Sequence, residues 1–433
     1  MTAAASRFTS VAGATFRSLV IRNYRLYFVG QVISVSGSWM QRVAQAWLVL
    51  QLTGSGLALG TVTALQFLPL LLIGAWGGLL ADRVDKRRLL LATQGAMGLL
   101  ALALGLLTLS GSVQLWMVYG LALALGAVTA LDNPARQAFV IEMVGREHVT
   151  NAVSLNSAVF TSARLVGPAV AGVLINAVGT GWCFVVNGLS FAAVLAALAL
   201  MDTRQLHLGA AAGRGQGQVR EGLRYVWSTV ELRVPLLLMA AVGTLALNFS
   251  VVLPLLASQT FHGNAGTYGL LFSVLGGGSL VGALVTASRS EPSRRLLLGS
   301  LLAFGALMLA AAAAPALWIE VAVLVPLGVA STVFQATANS TLQLNSTADM
   351  RGRVMALYGV VFLGTTPIGA PLVGWLSEGF GPRAGFVVGG AAVLVALAAV
   401  CLWLWRVGRR SSRTLAAGKN KDRAGVTSQV LRG

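Results

Sequence analysis

Charged residues inside the long apolar stretches of this 433-residue chain include Arg42 and Arg164, far from the ends of their stretches, and the acids Asp132 and Glu320, each near an end. A charge in such surroundings is costly, and it commonly faces a protein interior, where it binds an ion, a proton or a polar molecule. Two arginines and one carboxylate at separate positions suit recognition of a small molecule and carriage of a proton by Asp132. Asp132 could equally form a structural ion pair with Arg136, which follows one helical turn later.

A polar stripe accompanies Arg42 in the first apolar stretch. Ser38, Gln41 and Gln45 recur at helical spacing, so they share one face of a helix. We expect this face to line a cavity together with Arg42 and Arg164. Such a cavity would be electropositive and would favour neutral or anionic substrates over lipophilic cations. The residues expected to line the same cavity from the second half of the chain are Asn248, Gln335, Asn339, Thr365 and Thr366.

Other chemistries are disfavoured. The two cysteines and three histidines stand apart without metal-type spacing, so the sequence predicts neither a metal site nor a cofactor. No phosphate-binding loop of the form G-x-x-x-x-G-K-[ST] occurs. A membrane-embedded enzyme acting on lipids would need a nucleophile–base pair or an acid–base pair, and no such cluster stands out.

The composition is that of a membrane protein. Hydrophobic residues make up 56% of the chain and charged residues 10%, and the mean hydropathy is +0.78. Soluble domains carry about 25% charged residues. Twelve apolar runs can be drawn between residues 26 and 405, at or near the roughly 20 residues that a helix needs to cross a bilayer. We therefore predict an all-α membrane protein with twelve transmembrane helices.

The basic residues alternate along the chain. Of the 31 lysines and arginines, all but Arg42, Arg164 and Arg383 lie in the two tails or in every second gap between apolar runs. This positive-inside pattern predicts that both termini are cytoplasmic. It also accounts for the net charge of +18 without invoking nucleic acid. The basic face should favour the anionic lipid headgroups of the inner leaflet.

The longest gap divides the chain into two similar halves. "GPAVAG" of the first half resembles "GAPLVG" of the second, so that Gly167 corresponds to Gly369 and Gly172 to Gly374. Two pseudo-symmetric six-helix bundles are predicted, with the substrate site between them, and a monomer is expected. The predicted parts are a tail over 1–25, a bundle over 26–201, a linker with an amphipathic surface helix over 202–233, a bundle over 234–405 and a basic tail over 406–433.

The segment GGLLADRVDKRR (77–88) lies between the second and third apolar runs. It resembles the signature G-x-L-A-D-R-x-G-R-K of the major facilitator superfamily, but Asp85 stands where that family usually has glycine. The resemblance implies the major facilitator fold and a loop that latches the two halves and switches during alternating access. Its gating residues would be Gly78, Asp82, Arg83 and Arg87.

Further segments narrow the resemblance to the branch of bacterial enterobactin exporters and macrolide-efflux proteins. They are GSWMQRVAQAWLV (37–49), DNPARQAF (132–139), NAVSLNSAVFTSARLVGPAVAG (151–172) and RGRVMALY (351–358). Gly167, Pro168 and Gly172 are similar to the Gly-Pro motif of exporters, which favours efflux. The resemblance implies a secondary transporter of the bacterial plasma membrane that exports a drug, siderophore or other metabolite by proton antiport. Proton-coupled uptake is the alternative.

Overall fold

A computed structural model describes residues 16–207, 218–289 and 291–406, without the side chains of 75–79, 81–82 and 218–220. Most of the predicted tails and the Gly-rich part of the linker lie outside these ranges. The described chain is built from helices. In order they are α1 (Arg22–Thr53), α2 (Gly56–Arg83), α3 (Lys86–Leu109), α4 (Leu115–Val178), α5 (Thr180–Ala199), α6 (Gln218–Ser228), α7 (Val230–Leu245), α8 (Phe249–Leu255), α9 (Ala265–Ala287), α10 (Arg294–Ala313), α11 (Leu317–Leu344), α12 (Arg351–Gly364), α13 (Thr366–Phe380) and α14 (Ala384–Arg406).

Polar residues in the short gaps start several of these helices. Ser55, Asp85, Asn264 and Ser293 each accept a hydrogen bond from a backbone N–H in the first turn of α2, α3, α9 and α10. Such caps satisfy donors that have no partner within the helix. Gly54 ends α1 in the left-handed conformation, with φ of 65°, which glycine adopts without steric cost. The apolar runs are thereby cut into helices of membrane-spanning length.

Ten helical segments of the described chain are long and apolar enough to cross a membrane. Twelve crossings are predicted from the sequence, and two features account for the difference. α4 is continuous in its hydrogen bonding over 64 residues, but its backbone breaks at Gly145, where φ is 69°. α1 is 32 residues long, but its serines, glutamines and Arg42 lower its hydropathy. The protein is therefore an all-α membrane protein of many spans.

The ends of these helices define two opposite faces of the protein. We call the side where α1 ends and α2 begins the Gly54 face. The side where α2 ends and α3 begins is the Asp85 face. The short helix α6 packs on the Asp85 face, where Glu221 forms an ion pair with Arg353 of α12 at 2.7 Å. Val226 of α6 is fully buried, whereas Trp227 is exposed.

Close glycine contacts join the first half of the chain to the second along two seams. In the first seam, α4 meets α9: a Cβ atom on Gly172 would lie 3.0 Å from the Cα atom of Gly266, and one on Gly269 would lie 2.5 Å from the carbonyl oxygen of Pro168. In the second seam, α2 meets α13, and a Cβ atom on Gly56 would lie 2.5 Å from the carbonyl oxygen of Gly374. Small residues allow membrane helices to approach this closely.

The repeated glycines occupy equivalent places in the two halves. A Cβ atom on Gly167 would lie 2.6 Å from Cβ of Trp39 in α1, and Gly369 lies against the carbonyl group of Thr244 in α7. Gly172 and Gly374 each face the opposite half, as described above. The weak sequence repeat therefore corresponds to a repeat of helix contacts.

Hydrogen bonds also join the halves at the Gly54 face. The carboxylate of Glu378, near the end of α13, accepts hydrogen bonds from Ser55 Oγ at 2.5 Å and from the backbone N–H of Leu57 at 3.0 Å. Gln259 Nε2 donates to the carbonyl oxygen of Gly54 at 3.1 Å. These bonds and the glycine seams hold the Gly54 face closed.

Two glycines of α13 allow a matched test of this packing. Gly369→Ala places a methyl group against the Thr244 backbone, so we expect a loss of about 1–3 kcal/mol of stability, the usual cost of overpacking. Gly379→Ala meets no atom within 4 Å and should be neutral or slightly stabilising. Thermal unfolding of the two purified variants checks this, and equal midpoints would contradict the close approach.

Candidate functional site

The structure brings Arg42 and Arg164 together around one indole ring. The guanidinium carbon of Arg42 lies 4.6 Å from the centroid of the Trp39 ring, and that of Arg164 lies 5.8 Å from it. Both distances are in the range of cation–π attraction. Trp39 is itself buried, with 8% of its surface exposed. We call these three side chains the Arg42–Trp39–Arg164 site.

Aromatic rings from two further helix segments extend the site. Phe160 of α4 packs edge-on against Trp39 at 5.7 Å, and Phe272 of α9 lies 6.1 Å from the same ring. Phe272 belongs to the second half of the chain, so the site lies where the halves meet. Phe160 is 47% exposed and Arg42 is also exposed. Phe160 and Arg42 therefore keep accessible surface at a point where the two halves meet.

The two arginines carry charge without a carboxylate partner in the described part of the chain. The ion pairs described there are Lys86–Glu142, Arg88–Asp85, Arg136–Asp132 and Arg353–Glu221. The Nε atom of Arg164 is buried and has no hydrogen-bond partner. A buried donor left in this way is costly, and like charges held together repel. The site is strongly electropositive and has unused hydrogen-bonding capacity.

Asp132 forms a separate cluster within the first half. Its Oδ1 atom accepts hydrogen bonds from Thr93 Oγ1 and Gln94 Nε2, both at 2.8 Å, and Oδ2 lies 3.1 Å from Arg136 Nη2. The carboxyl group is fully buried. The ion pair one helical turn away is thus formed. Carriage of a proton by Asp132 would require this pair to separate.

Gln41, in the polar stripe of α1, contacts α5. Gln41 accepts a hydrogen bond from Asn187 Nδ2 at 2.5 Å, and Gln41 and Gln45 are buried. Ser38 donates to the carbonyl oxygen of Ser34. Pairing of amide groups between helices is favoured where lipid offers no other partner. Of the predicted first-half cavity residues, Gln41 and Gln45 are therefore placed in helix packing.

The candidates from the second half are spread over several helices and are largely satisfied locally. Asn248, at the break between α7 and α8, donates to Thr244, and Thr365 donates to Val361. Gln335 donates to Ser331 within α11. The remaining two are half-buried: Asn339, which accepts a hydrogen bond from Gln343, and Thr366 at the start of α13. The described contacts do not join this group to the arginine site.

The predicted gating segment is described only in part. The surroundings of Gly78 and the side chain of Asp82 lie outside what the structure describes. Arg83 is exposed at the end of α2. Arg87 donates through Nε to the carbonyl oxygen of Leu198 at 2.7 Å and through Nη2 to that of Ala199. Arg87 therefore caps the C-terminus of α5, where a cation is favourable.

Asp85 explains the departure from the family signature. Its carboxylate accepts a hydrogen bond from the backbone N–H of Arg88 at 3.0 Å and so caps the start of α3. Aspartate is among the preferred residues at this position. The usual glycine is thus replaced by a helix cap.

The Gly-Pro motif lies beside the arginine site. Gly167 and Pro168 are buried in α4, and Gly172 follows one turn later in the first seam. Gly167 lets Trp39 approach α4 closely, which places the indole near Arg164. The motif thus contributes to both the packing of the halves and the geometry of the site.

Trp39, Phe160, Phe272 and Glu378 are not among the residues predicted from the sequence. Aromatic residues are common in apolar helices, so nothing distinguishes these three rings. Trp39 stands three residues before Arg42, one helical turn away. This spacing is the feature of the sequence that could have indicated a contact between the two side chains. In the sequence, Glu378 begins a short gap between two apolar runs, where a polar residue is expected.

The helix arrangement defines a membrane transporter fold. It superposes on a bacterial homologue of the human lysosomal transporter Spinster with a TM-score of 0.72, at 15% identity, covering 88% of this chain and 97% of that one. Residues 13–425 match the family model of transmembrane secretion effectors. The chain belongs to this family of the major facilitator superfamily.

Two transporters have amino-acid sequences similar to that of this chain. The multidrug efflux pump Tap of Mycolicibacterium fortuitum is 29% identical over 370 residues, which cover 81% of this chain and 88% of the pump. The staphyloferrin A transporter of Staphylococcus aureus is 25% identical over 264 residues, which cover 60% of this chain and 66% of the transporter.

Asp132 can be tested for its structural role. Asp132→Ala leaves the half-buried Arg136 without its carboxylate partner, so we expect a loss of about 1–3 kcal/mol of stability. Asp132→Asn keeps an oxygen for Thr93 and Gln94 and should lose less. Thermal unfolding of both variants gives the comparison, and equal unfolding of Asp132→Ala and the unchanged protein would exclude the described ion pair.

Proposed function

We propose that this protein is a secondary active exporter that moves a small organic molecule out of the cytoplasm by alternating access. The observation that carries the proposal is the Arg42–Trp39–Arg164 site, which lies where the two halves meet. The halves are joined at the Gly54 face. A site between repeated halves suits transport by rocking of one half against the other. The family and the multidrug pump Tap support the direction of transport.

The proposed topology has twelve transmembrane helices in two six-helix bundles. Counting the arms of α4 on either side of Gly145 separately, and adding α1, extends the ten apolar segments to twelve. The bundles comprise 26–201 and 234–405, joined by the linker. The basic residues near the Asp85 face support a cytoplasmic position for that face and for both termini, against anionic lipid headgroups. The Gly54 face is then extracellular. We propose that one chain suffices for transport.

Proton antiport is the proposed energy source. Asp132 is the candidate proton carrier because it is a fully buried carboxyl group that lies beside the cation Arg136. Asp82 and Arg83 are proposed to latch the halves at the cytoplasmic face when the other face opens, as the family signature implies. Among the predicted second-half residues, Asn339 and Thr366 remain candidates for the cavity wall in a different conformation.

Neutral or anionic substrates are proposed in preference to lipophilic cations. Two arginines without a described acidic partner repel a cation, and burial of that unpaired charge is relieved by an anion. The relatives named for drug efflux and for staphyloferrin A transport make drugs, siderophores or other metabolites the candidate cargo.

Everted membrane vesicles test the proposal. Vesicles containing the protein should accumulate a fluorescent organic anion when a proton gradient is imposed, and should lose it when the gradient is collapsed. Arg164→Ala and Asp82→Ala should each abolish accumulation. Control vesicles carry Arg289→Gln, which removes an exposed charge of the Asp85 face outside the latching segment. Accumulation that is independent of the gradient would contradict antiport, and gradient-driven extrusion from the vesicles would favour uptake.

A further inference from the structure

We propose that the Arg42–Trp39–Arg164 site binds the carboxylate group of a planar, apolar substrate, and that Trp39 is the residue that positions both guanidinium groups for it. The inference rests on the proposed transport function and specifies its substrate class. Three features support it: the stacking of the arginines, their lack of a described acidic partner, and the aromatic wall.

The stacking fixes the direction in which the arginines present their donors. A guanidinium group that lies over an aromatic face keeps its N–H groups free at the edge, where they match the two oxygens of a carboxylate. Arg42 and Arg164 use the same indole at 4.6 Å and 5.8 Å. Trp39 is in turn held by Gly167, since any larger residue there would displace it. The two cations are therefore held in place before the substrate arrives.

The site lacks the anion that its charges require. Two neighbouring cations repel each other. In the described chain both are attracted to the Trp39 ring, and neither forms an ion pair. The buried Nε of Arg164 has no partner. The nearest acidic cluster uses its carboxylate for Arg136. A bound carboxylate would satisfy the free donor and offset the repulsion together.

The aromatic rings around Trp39 indicate the chemistry of the remaining, apolar part of the substrate. Phe160 and Phe272 lie against Trp39 from α4 and α9 at 5.7 Å and 6.1 Å, and aromatic side chains favour flat, apolar partners. Phe160 is 47% exposed, so part of its ring is available for contact. Phe272 belongs to the opposite half and is buried against Trp39, so both halves contribute to the site.

Three ligands that share a naphthalene ring but differ in charge test the effect of charge on binding at nearly constant shape. Binding of 2-naphthoate, 2-naphthamide and 2-naphthylmethylammonium to the purified full-length protein is measured by calorimetry without a proton gradient. We expect 2-naphthoate to bind about ten-fold more tightly than the amide, the value of one good charge-assisted pair, and the ammonium to bind most weakly. Arg42→Gln and Arg164→Gln should each remove this preference without weakening the amide.

Variants of Trp39 test the positioning role. Trp39→Phe keeps an aromatic face and should retain the preference for the carboxylate, whereas Trp39→Leu should lose it with little change in amide binding. Arg88→Gln serves as the matched control for charge. Equal affinity for the three ligands, absence of naphthoate binding, or an unchanged preference in Arg164→Gln would overturn the proposal. Failure of gradient-driven transport in vesicles would instead count against the proposed function.

A second inference concerns Glu378. We infer that its carboxylate is a latch between the halves at the Gly54 face, and that it is disrupted each time this face opens. Glu378 lies near the C-terminal end of α13, and it accepts hydrogen bonds from Ser55 and from the backbone N–H of Leu57 at the N-terminus of α2. A carboxylate at this end of a helix is stabilised by the unpaired N–H groups and by the helix dipole.

Helix α2, whose N-terminus Glu378 contacts, carries a carboxylate of its own near its C-terminus. Asp82 precedes the C-terminus of α2 by one residue, within the segment that the family signature marks as a latch. The Gly54 latch is the one formed in the described conformation, where Glu378 also lies close to the second glycine seam.

Distances between spin labels test the latch. Both native cysteines are replaced by alanine, and labels are placed at Ser112→Cys and Ala313→Cys on the Gly54 face, or at Arg88→Cys and Ser288→Cys on the Asp85 face. Glu378→Ala should lower the ratio of closed to open molecules at the Gly54 face about five-fold and shorten the distances at the Asp85 face. Glu378→Gln retains an acceptor and should have a smaller effect.

Glu231→Gln provides a matched control, because it removes an exposed carboxylate from the opposite face. Its distance distributions should equal those of the unchanged protein. Unchanged distributions at both faces in Glu378→Ala would overturn the latch. Because conformation is measured in the absence of substrate, this result is independent of whether transport is found in vesicles.

Discussion

The close approach of backbones along the two glycine seams is the constraint on which the rest of the structure depends. α4 against α9 and α2 against α13 meet with almost no side-chain atoms between them. Contacts of this kind bring together helices that begin as separate halves of the chain, and lipid provides no hydrophobic drive for them. The Arg42–Trp39–Arg164 site exists because Gly167 admits Trp39 and the first seam brings Phe272 to the same ring.

Charge is handled in two different ways within the membrane region. Asp132 is surrounded by donors from its own half and by Arg136, which offsets the cost of burial. Arg42 and Arg164 lie over the face of one indole ring and have no carboxylate partner in the described chain, so their charge is offset less completely. The first arrangement stabilises a bundle. The second leaves positive charge and an unpaired donor where the two halves meet.

Much of the architecture could be predicted from the sequence because it depends on composition and periodicity. The membrane class, the helices and the repeat of Gly167 and Gly172 follow from patterns that local physics enforces. The orientation of the α1 stripe could not be predicted in this way. Helical spacing shows that Ser38, Gln41 and Gln45 share a face, but not whether that face meets Asn187 or an open space. The role of Trp39 likewise depends on Arg164, which is distant in sequence and close only after packing.

The seams have a consequence for how such a protein can diversify. A residue that touches its neighbour through backbone atoms alone has almost no acceptable replacement, so the moving surfaces are fixed by sterics. The side chains around Trp39 are under no comparable restriction. Selection can therefore alter the cargo by exchanging a few rings and charges at the centre, while the machinery of movement is inherited unchanged. A single ancestral mechanism would in this way give rise to pumps with unrelated substrates.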